Sequence, residues 1–360
     1  MDKRKVAILN LQVDDNFGGH LQRYALIATL QKMGYEVEHL NTRFPSSKKS
    51  ILKRLKGGVK RLLLYPYYAI KRNAEYKPLR LFKYYIQHEP VTEAFYNQYI
   101  PHTNRIYSKE ELTRYTDYDY FVVGSDQVWR SSMAAVSGLF TYLFDYLPDD
   151  KKRIAYGASL GTDKSELTDE EIVRFRDLYA KFKAVSVREK SGLDLLASYD
   201  CKQPKAEWVL DPTLLLTKEE YSAIIDVDIT EPLQTDIFCY VLDLDEKKKE
   251  TIKKIAQEKG MSYHIWQKTE HYTVEQWLRS FRDAKMVITD SYHGLVFSLI
   301  FNKQFMLLRN DYRGNARFES IAEQLGVALD KEQQDYTSVN MAIAQNREQS
   351  LRFLKSSLKD

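Results

Sequence analysis

Apolar runs of five to seven residues alternate with segments of helical period along most of the chain, the arrangement that a parallel sheet covered by helices produces. VAILNL (6–11) reads as a buried strand, DDNFGG as a loop, HLQRYALIATLQKMG as an amphipathic helix ending at Gly34, and YEVEHLN as a second strand. DYFVVGS, RIAYGAS, AVSVRE and EWVLDPTLLL follow as strands. TDEEIVRFRDLYAKF reads as a helix capped by Thr168 or Asp169, with acids in its first turn. The polar, aperiodic run DVDITEPLQTD (226–236) interrupts the series as a linker. Strands then resume with DIFCYVLDL, SYHIWQK, KMVITD and QFMLLRN, separated by helical segments such as TVEQWLRSFRDA and SYHGLVFSLIFN. The pattern predicts an α/β protein of two facing, Rossmann-like, doubly wound domains with a central cleft. The first spans 1–225, with an insertion at about 43–115; the second spans 235–330; a helical tail, 331–360, follows. Ligands of such sheets sit beyond the carboxyl ends of the strands, so the chemistry is sought there.

At 360 residues the chain exceeds what one core usually serves, which agrees with two domains. With 44% hydrophobic residues, 14 Gly and 9 Pro, disordered and collagen-like classes are excluded. Two cysteines, Cys201 and Cys239, are too few for a disulfide framework or a four-thiolate zinc site and suit a reducing compartment. The first apolar run, Val6 to Leu11, is too short for a signal segment or a membrane span, so a cytoplasmic protein is expected. Net charge is +4, yet between Arg43 and Lys83 there are 13 Lys or Arg against one acid, Glu75. The segment 46–83 mixes those cations with LLLYPYYAI. It is either an interfacial stretch that meets anionic lipid at the inner membrane surface or a solvated helical insertion. Nucleic acid is not an expected partner, because no recognised module accompanies the charge.

Four strand ends hold the chemistry-bearing residues: DDNFGGHLQ, VVGSDQVW, RIAYGASLG with VSVRE, and ITDSYHGLVF. Asn16, Gly18 and Gly19 with LQRYAL come first, then the run Gly124 to Trp129, then Arg153 with YGASLG. Ser186 to Glu189, Asp211-Pro212-Thr213 and Asp290 to Gly294 complete the series. In order and approximate spacing these resemble the polysaccharide pyruvyl transferases, over nearly the whole chain. The resemblance implies a GT-B-like pair of domains. It also implies transfer of pyruvate from phosphoenolpyruvate to two sugar hydroxyls as a cyclic ketal, on a surface polysaccharide or its lipid-linked precursor. Phosphoenolpyruvate is then the donor substrate, and no separate cofactor is expected.

KMVITD ends a strand, Ser291 suits an N-cap, and the next helix offers His293 and first-turn N–H groups where an anion is favoured. Ketal formation needs a proton for the donor methylene, a base for the attacking hydroxyl and stabilisation of departing phosphate; a histidine titrating near neutrality serves the first two. His293 is therefore the leading catalytic candidate, with Ser291, Tyr292 and Gly294 on the donor side. The alternative is a histidine that completes its own helix end or binds phosphate without moving protons. Parts of the family carry a donor-binding arginine where this chain has Ser291. Arg309, Arg313 and Arg317 are the candidates to replace it, each otherwise a surface ion pair.

Arg188 ends a strand, and the resemblance implies donor contact; its other reading is a salt bridge to Glu189 or Asp211. Asp126 either orients an acceptor hydroxyl or acts as its base, or else caps a helix. Trp129 reads as a core anchor and Arg153 as structural. Asn16, Gly18, Gly19, Ser125 and Gln127 are assigned to the acceptor side, whereas His20 and Gln22 are weaker, since helix-borne polar residues are usually solvated. DDNFGGH lacks the spacing of a dinucleotide fingerprint. The other histidines show no ligand spacing, so no metal is expected. Two rival readings stand: a glycosyltransferase of the same layout using a nucleotide sugar, and a catalytically silent scaffold in polysaccharide assembly, which Ser291 keeps open.

Overall fold

Among the described residues, two parallel sheets carry the fold. A computed structural model describes residues 3–44, 91–227, 235–308 and 316–359; the basic segment 46–83, Arg309 and Arg313 lie outside the described residues. The first sheet comprises β1 (Lys5–Leu9), β2 (Glu36–His39), β3 (Tyr120–Val123), β4 (Lys152–Ala158), β5 (Phe182–Val187) and β6 (Glu207–Trp208), in the order β2-β1-β3-β4-β5-β6. The second comprises β7 (Ile237–Tyr240), β8 (Tyr263–Ile265), β9 (Met286–Thr289) and β10 (Gln304–Leu307), in the order β10-β9-β7-β8. Every pairing is parallel. In both sheets the first strand in sequence lies between the second and third, so each has a switch point where the winding reverses, between β1 and β3 and between β7 and β9. This is the pair of Rossmann-like domains that the hydrophobic pattern predicts, in the GT-B-like layout that the resemblance implies.

The apolar runs follow from burial on both faces. In the first sheet Val6, Ile8, Val122 and Ile154 face one core cluster, and Ala7, Leu9, Val123 and Ala155 face another. The helices are α1 (Phe17–Lys32), α2 (Glu93–Tyr99), α3 (Lys109–Leu112), α4 (Asp169–Tyr179), α5 (Lys190–Ser198), α6 (Lys218–Ile225), α7 (Glu246–Lys259), α8 (Val274–Asp283), α9 (Tyr292–Ile300), α10 (Ala316–Leu325) and α11 (Tyr336–Ser357). Thr168 caps α4 through a capping box with Glu171.

One core crosses from sheet to sheet. Leu21, Leu26 and Leu214 belong to the same cluster as Trp277, Phe297 and Phe305. Phe17 stacks on Trp277 with centroids 5.4 Å apart, and Tyr221 meets Phe297 edge-on at 5.2 Å. The tail helix α11 fastens this arrangement: Arg347 donates to the carbonyls of Leu214 (2.8 Å) and Leu216 (3.0 Å), and Ser350 Oγ accepts from Leu210 N–H (3.0 Å). No helix among the described residues is long and apolar enough to cross a membrane.

Two elements differ from the sequence pattern. Helix α1 begins at Phe17 and takes in both glycines, because the Asn16 side chain accepts from Gly19 N–H (3.2 Å) and starts the helix there. The run EWVLDPTLLL is a strand only at Glu207–Trp208. Asp211 then caps a short 3-10 turn, Pro212–Leu215, whose first residue is proline.

Candidate functional site

The carboxyl ends of β3, β5 and β9 bring together residues from both sheets. β5 ends at Val187, and the next residue, Arg188, is completely buried with its guanidinium spread over three carboxylates. Nη1 donates to Asp211 Oδ2 (2.8 Å), Nη2 to Asp126 Oδ1 (3.3 Å) and Nε to Glu189 Oε1 (3.2 Å). Burial disfavours the charge, but Glu189, Asp211 and Asp126 outweigh it and hold the guanidinium well above its ordinary pKa. Glu189 precedes α5 but makes no cap bond; it accepts from Ser159 Oγ as well as Arg188. Asp126 reaches its partner by a turn with φ of +72°, a conformation that aspartate tolerates better than most residues. The salt-bridge reading of Arg188 is the one the geometry displays: it pairs with Glu189 and Asp211, and it lies 4.8 Å from the centroid of the Tyr292 ring, which comes from the second half of the chain.

Asp211 is the most heavily bound of the three acids. Its Oδ1 accepts from Thr213 N–H (3.0 Å) and Thr213 Oγ1 (2.7 Å), and its Oδ2 accepts from Arg188 and from Gln22 Nε2. Burial alone would raise its pKa, yet Arg188, His293 and Thr213 together bring it below the ordinary carboxylate value. Gln22 also donates to Ser125 Oγ (3.3 Å), so this helix-borne amide is sealed into the site and not solvated. Only its contacts from distant β-strand ends reveal that, which is why periodicity alone undervalues it.

His293 enters from the opposite side on the first turn of α9. Ser291 caps the helix by accepting from Gly294 N–H (3.4 Å), and Ser291 N–H is itself held by Thr289 Oγ1 (3.0 Å). The close approach of α9 to β9 requires Gly294, since a Cβ there would lie 2.1 Å from Thr289 Oγ1. Gly18 does the same for the imidazole: a Cβ on it would fall 2.1 Å from His293 Nδ1. Nε2 lies 4.0 Å from Asp211 Oδ2, sealed from solvent and with no hydrogen-bond partner. Burial lowers the His293 pKa to about 4; Asp211 and Asp126 oppose this, and Arg188 and Arg317 add to it. The unliganded imidazole is neutral at neutral pH.

The remaining candidates fall into place around this centre. Arg317, at the start of α10, stands 5.7 Å from the Tyr292 ring centroid, with its pKa lowered by burial and by Arg188. Tyr292 forms the wall between Arg188, Arg317 and His293, its hydroxyl pKa raised by burial. Gln127 turns away: its Oε1 accepts from Arg130 (2.9 Å) and packs against Gly161. Asn16 is occupied as the α1 cap, and Gly19 lies beside it. Asp290 is not part of this cluster either; it accepts from Leu242 N–H, Asp243 N–H and Lys248 Nζ and ties the β7–α7 loop to β9. Trp129 is core, donating to the Tyr142 carbonyl (3.1 Å), and Arg153 is buried among backbone carbonyls. Two residues in this region do more than the sequence pattern assigns them: Asp211, read there as part of its motif and as a possible partner of Arg188, joins the two sides, and buried Arg23, within LQRYAL, donates to the Leu11 and Gln12 carbonyls and holds the β1–α1 loop.

Among solved structures, UDP-GlcNAc 2-epimerase from Neisseria meningitidis bound to UDP-GlcNAc is 12% identical, with 99% of this chain and 94% of that chain covered and a TM-score of 0.48. Anabaena Alr3699/HepE in complex with UDP is 9% identical, with coverage of 98% and 100% and a TM-score of 0.45. Arabidopsis thaliana UGT89C1 complexed with UDP-L-rhamnose is 10% identical, with coverage of 99% and 94% and a TM-score of 0.41. No curated protein matches the chain. The polysaccharide pyruvyl transferase family model matches residues 16–312, a span that runs from the α1 cap through His293 to the residues after β10. By that match the chain belongs to the polysaccharide pyruvyl transferase family.

Proposed function

We propose that the protein transfers pyruvate from phosphoenolpyruvate to two neighbouring hydroxyls of a saccharide, free or lipid-linked, as a cyclic ketal. One observation carries this reading beyond family membership: a neutral, buried imidazole on one domain faces a dense set of charged groups on the other, across a glycine that leaves it room. Perturbed ionisable groups converging between two sheets are what a reactive site presents, and they support this reading.

The proton inventory fixes the steps. The donor methylene takes up one proton, which places cationic character on C2. The first hydroxyl oxygen bonds to C2 and loses its proton. The C2–O bond to phosphate breaks, and the second hydroxyl closes the ring, losing its own proton. Two protons are released by hydroxyls; one ends on the methyl group and one on the departing phosphate. A single histidine near the donor serves this traffic if it alternates between acid and base. His293 is neutral in the free protein; a trianionic donor alongside it favours uptake of a proton from solvent, the protonated ring supplies the methylene, and the neutral ring then takes the first hydroxyl proton and passes it to the departing phosphate. In this reading the donor anion lies on the second-domain side, toward Arg317 and the first-turn N–H groups of α9. Ser125, Asp126 and Gly18 face the acceptor from the first domain.

The test is phosphate release from phosphoenolpyruvate against a panel of saccharides bearing two neighbouring free hydroxyls. Release that requires both substrates, and that His293→Gln abolishes, is the expected result. Transfer from a nucleotide sugar, with no phosphate released from phosphoenolpyruvate by any acceptor, would overturn the reading.

A further inference from the structure

Neither sheet alone holds a complete proton-handling unit. Asp211 stands on the turn after β6, His293 on the first turn of α9, and the carboxylate and imidazole meet only where the two halves of the molecule close on each other. The ring is oriented by its surroundings. Its Nδ1 edge lies over Gly18, and its sealed Nε2 looks toward Asp211 Oδ2 at 4.0 Å. That distance is about 1 Å longer than a charge-assisted hydrogen bond, within the reach of a small closing movement. Asp211 in turn cannot swing away, because Thr213 holds Oδ1 through two bonds while Arg188 and Gln22 hold Oδ2.

We propose that Asp211 is the positioning residue of His293: it accepts a hydrogen bond from Nε2–H, fixes that tautomer, and leaves Nδ1 to exchange protons with the substrates. This inference rests on the pyruvyl-transfer reading for its consequence, not for its geometry. The charged and titratable groups facing the ring are Asp211 and Asp126, which favour its protonated form, Arg188 and Arg317, which oppose it, and Tyr292, whose ring lies 5.3 Å away edge-on. Among the described carboxylates, only Asp211 brings an oxygen within 4.0 Å of a ring nitrogen. The chemistry is the general one of a histidine whose second nitrogen is set by a buried carboxylate.

Asp211→Asn, with Asp211→Ala beside it, tests it: the amide keeps the shape but removes the charge that favours Nε2–H, and the alanine removes the acceptor. Nitrogen-15 spectra of histidine-labelled protein, assigned with His293→Gln, report the His293 tautomer without any substrate. The expected result is Nε2–H in the parent and loss of that single tautomer in Asp211→Asn. Turnover should fall on the order of 10²-fold or more while phosphoenolpyruvate affinity stays within a few-fold. The acid limb of the pH–rate profile should shift, and Asp211→Glu should restore part of the loss. Should Asp211→Asn fail to fold, Thr213→Val, which removes one donor to the carboxylate, should lower turnover in the same sense with a smaller tautomer change. An unchanged tautomer and unchanged turnover would overturn the proposal while leaving pyruvyl transfer intact. An Asp211-dependent tautomer in a protein that never releases phosphate would instead reject the functional reading alone.

Discussion

Gly18 has no side chain where His293 needs space. A methyl group there would stand 2.1 Å from Nδ1, so Gly18→Ala must push the ring or the whole first turn of α9 aside. Misplacement of a reacting group by about 1 Å costs on the order of 10²-fold, and Gly18→Ala should lose turnover by roughly that factor while unfolding as cooperatively as the parent. Steady-state kinetics beside a denaturation curve check this; full activity in Gly18→Ala would show that the ring has room and that the close approach is incidental. The histidines also set the acid limit of stability. Burial holds His20 at about 3 and His293 at about 4, and His39 lies well below its usual value. Between those values and about 6.5 the unfolded chain binds protons that the folded chain does not. Stability is therefore complete above pH 6.5 and falls below it, by about 1.4 kcal/mol per pH unit for each histidine; Asp14, raised by burial, opposes this in part. Urea unfolding at pH 7 and pH 5 should show the loss, and equal stability at the two would contradict the buried neutral state. His293 is legible in the sequence because its type and its place after a strand both point to chemistry. Asp211 is legible only as a motif residue and possible partner of Arg188, and Gln22 only as a weaker candidate, because what joins them is a contact between positions 189 residues apart.

At the scale of elements, the local rules hold wherever the signal is local. Thr168 starts α4 with a capping box, and Gly260 closes α7 in the left-handed conformation, as their residue types prescribe. The rules mislead where tertiary contact sets the boundary. Two glycines suggest a loop at 18–19, yet Asn16 caps a helix over them because α9 presses against that turn. Asn16→Ala should therefore cost about 1 kcal/mol of stability, with Asn16→Asp close to the parent. If instead Asn16→Ala leaves stability untouched and raises only the KM for acceptor, its side chain binds substrate and the cap is secondary. The run after Trp208 looks like a strand from its apolar residues, but Asp211 and Pro212 turn it into the segment that delivers a carboxylate to the site.

Across the whole molecule, alternating strands and helices make the two-sheet layout readable from the pattern of apolar positions alone. The seam between the sheets is not readable that way, since nothing in periodicity says that Phe17 of α1 will stack on Trp277 of α8. That stack belongs to one core spanning both sheets, so the protein should unfold in a single transition seen alike by tryptophan fluorescence and far-ultraviolet dichroism. Phe17→Ala should lower stability by about 3–5 kcal/mol, and separate transitions for the two halves would refute a shared core. The same seam brings the imidazole of one half to the carboxylates of the other, on which the account of function depends. A crystal structure with phosphoenolpyruvate bound tests that most directly. The donor methylene should lie roughly 3–3.5 Å from a ring nitrogen of His293, with the anionic groups on the Arg317 side. A donor bound away from His293, or a crystal that takes up none at millimolar concentration, would contradict it.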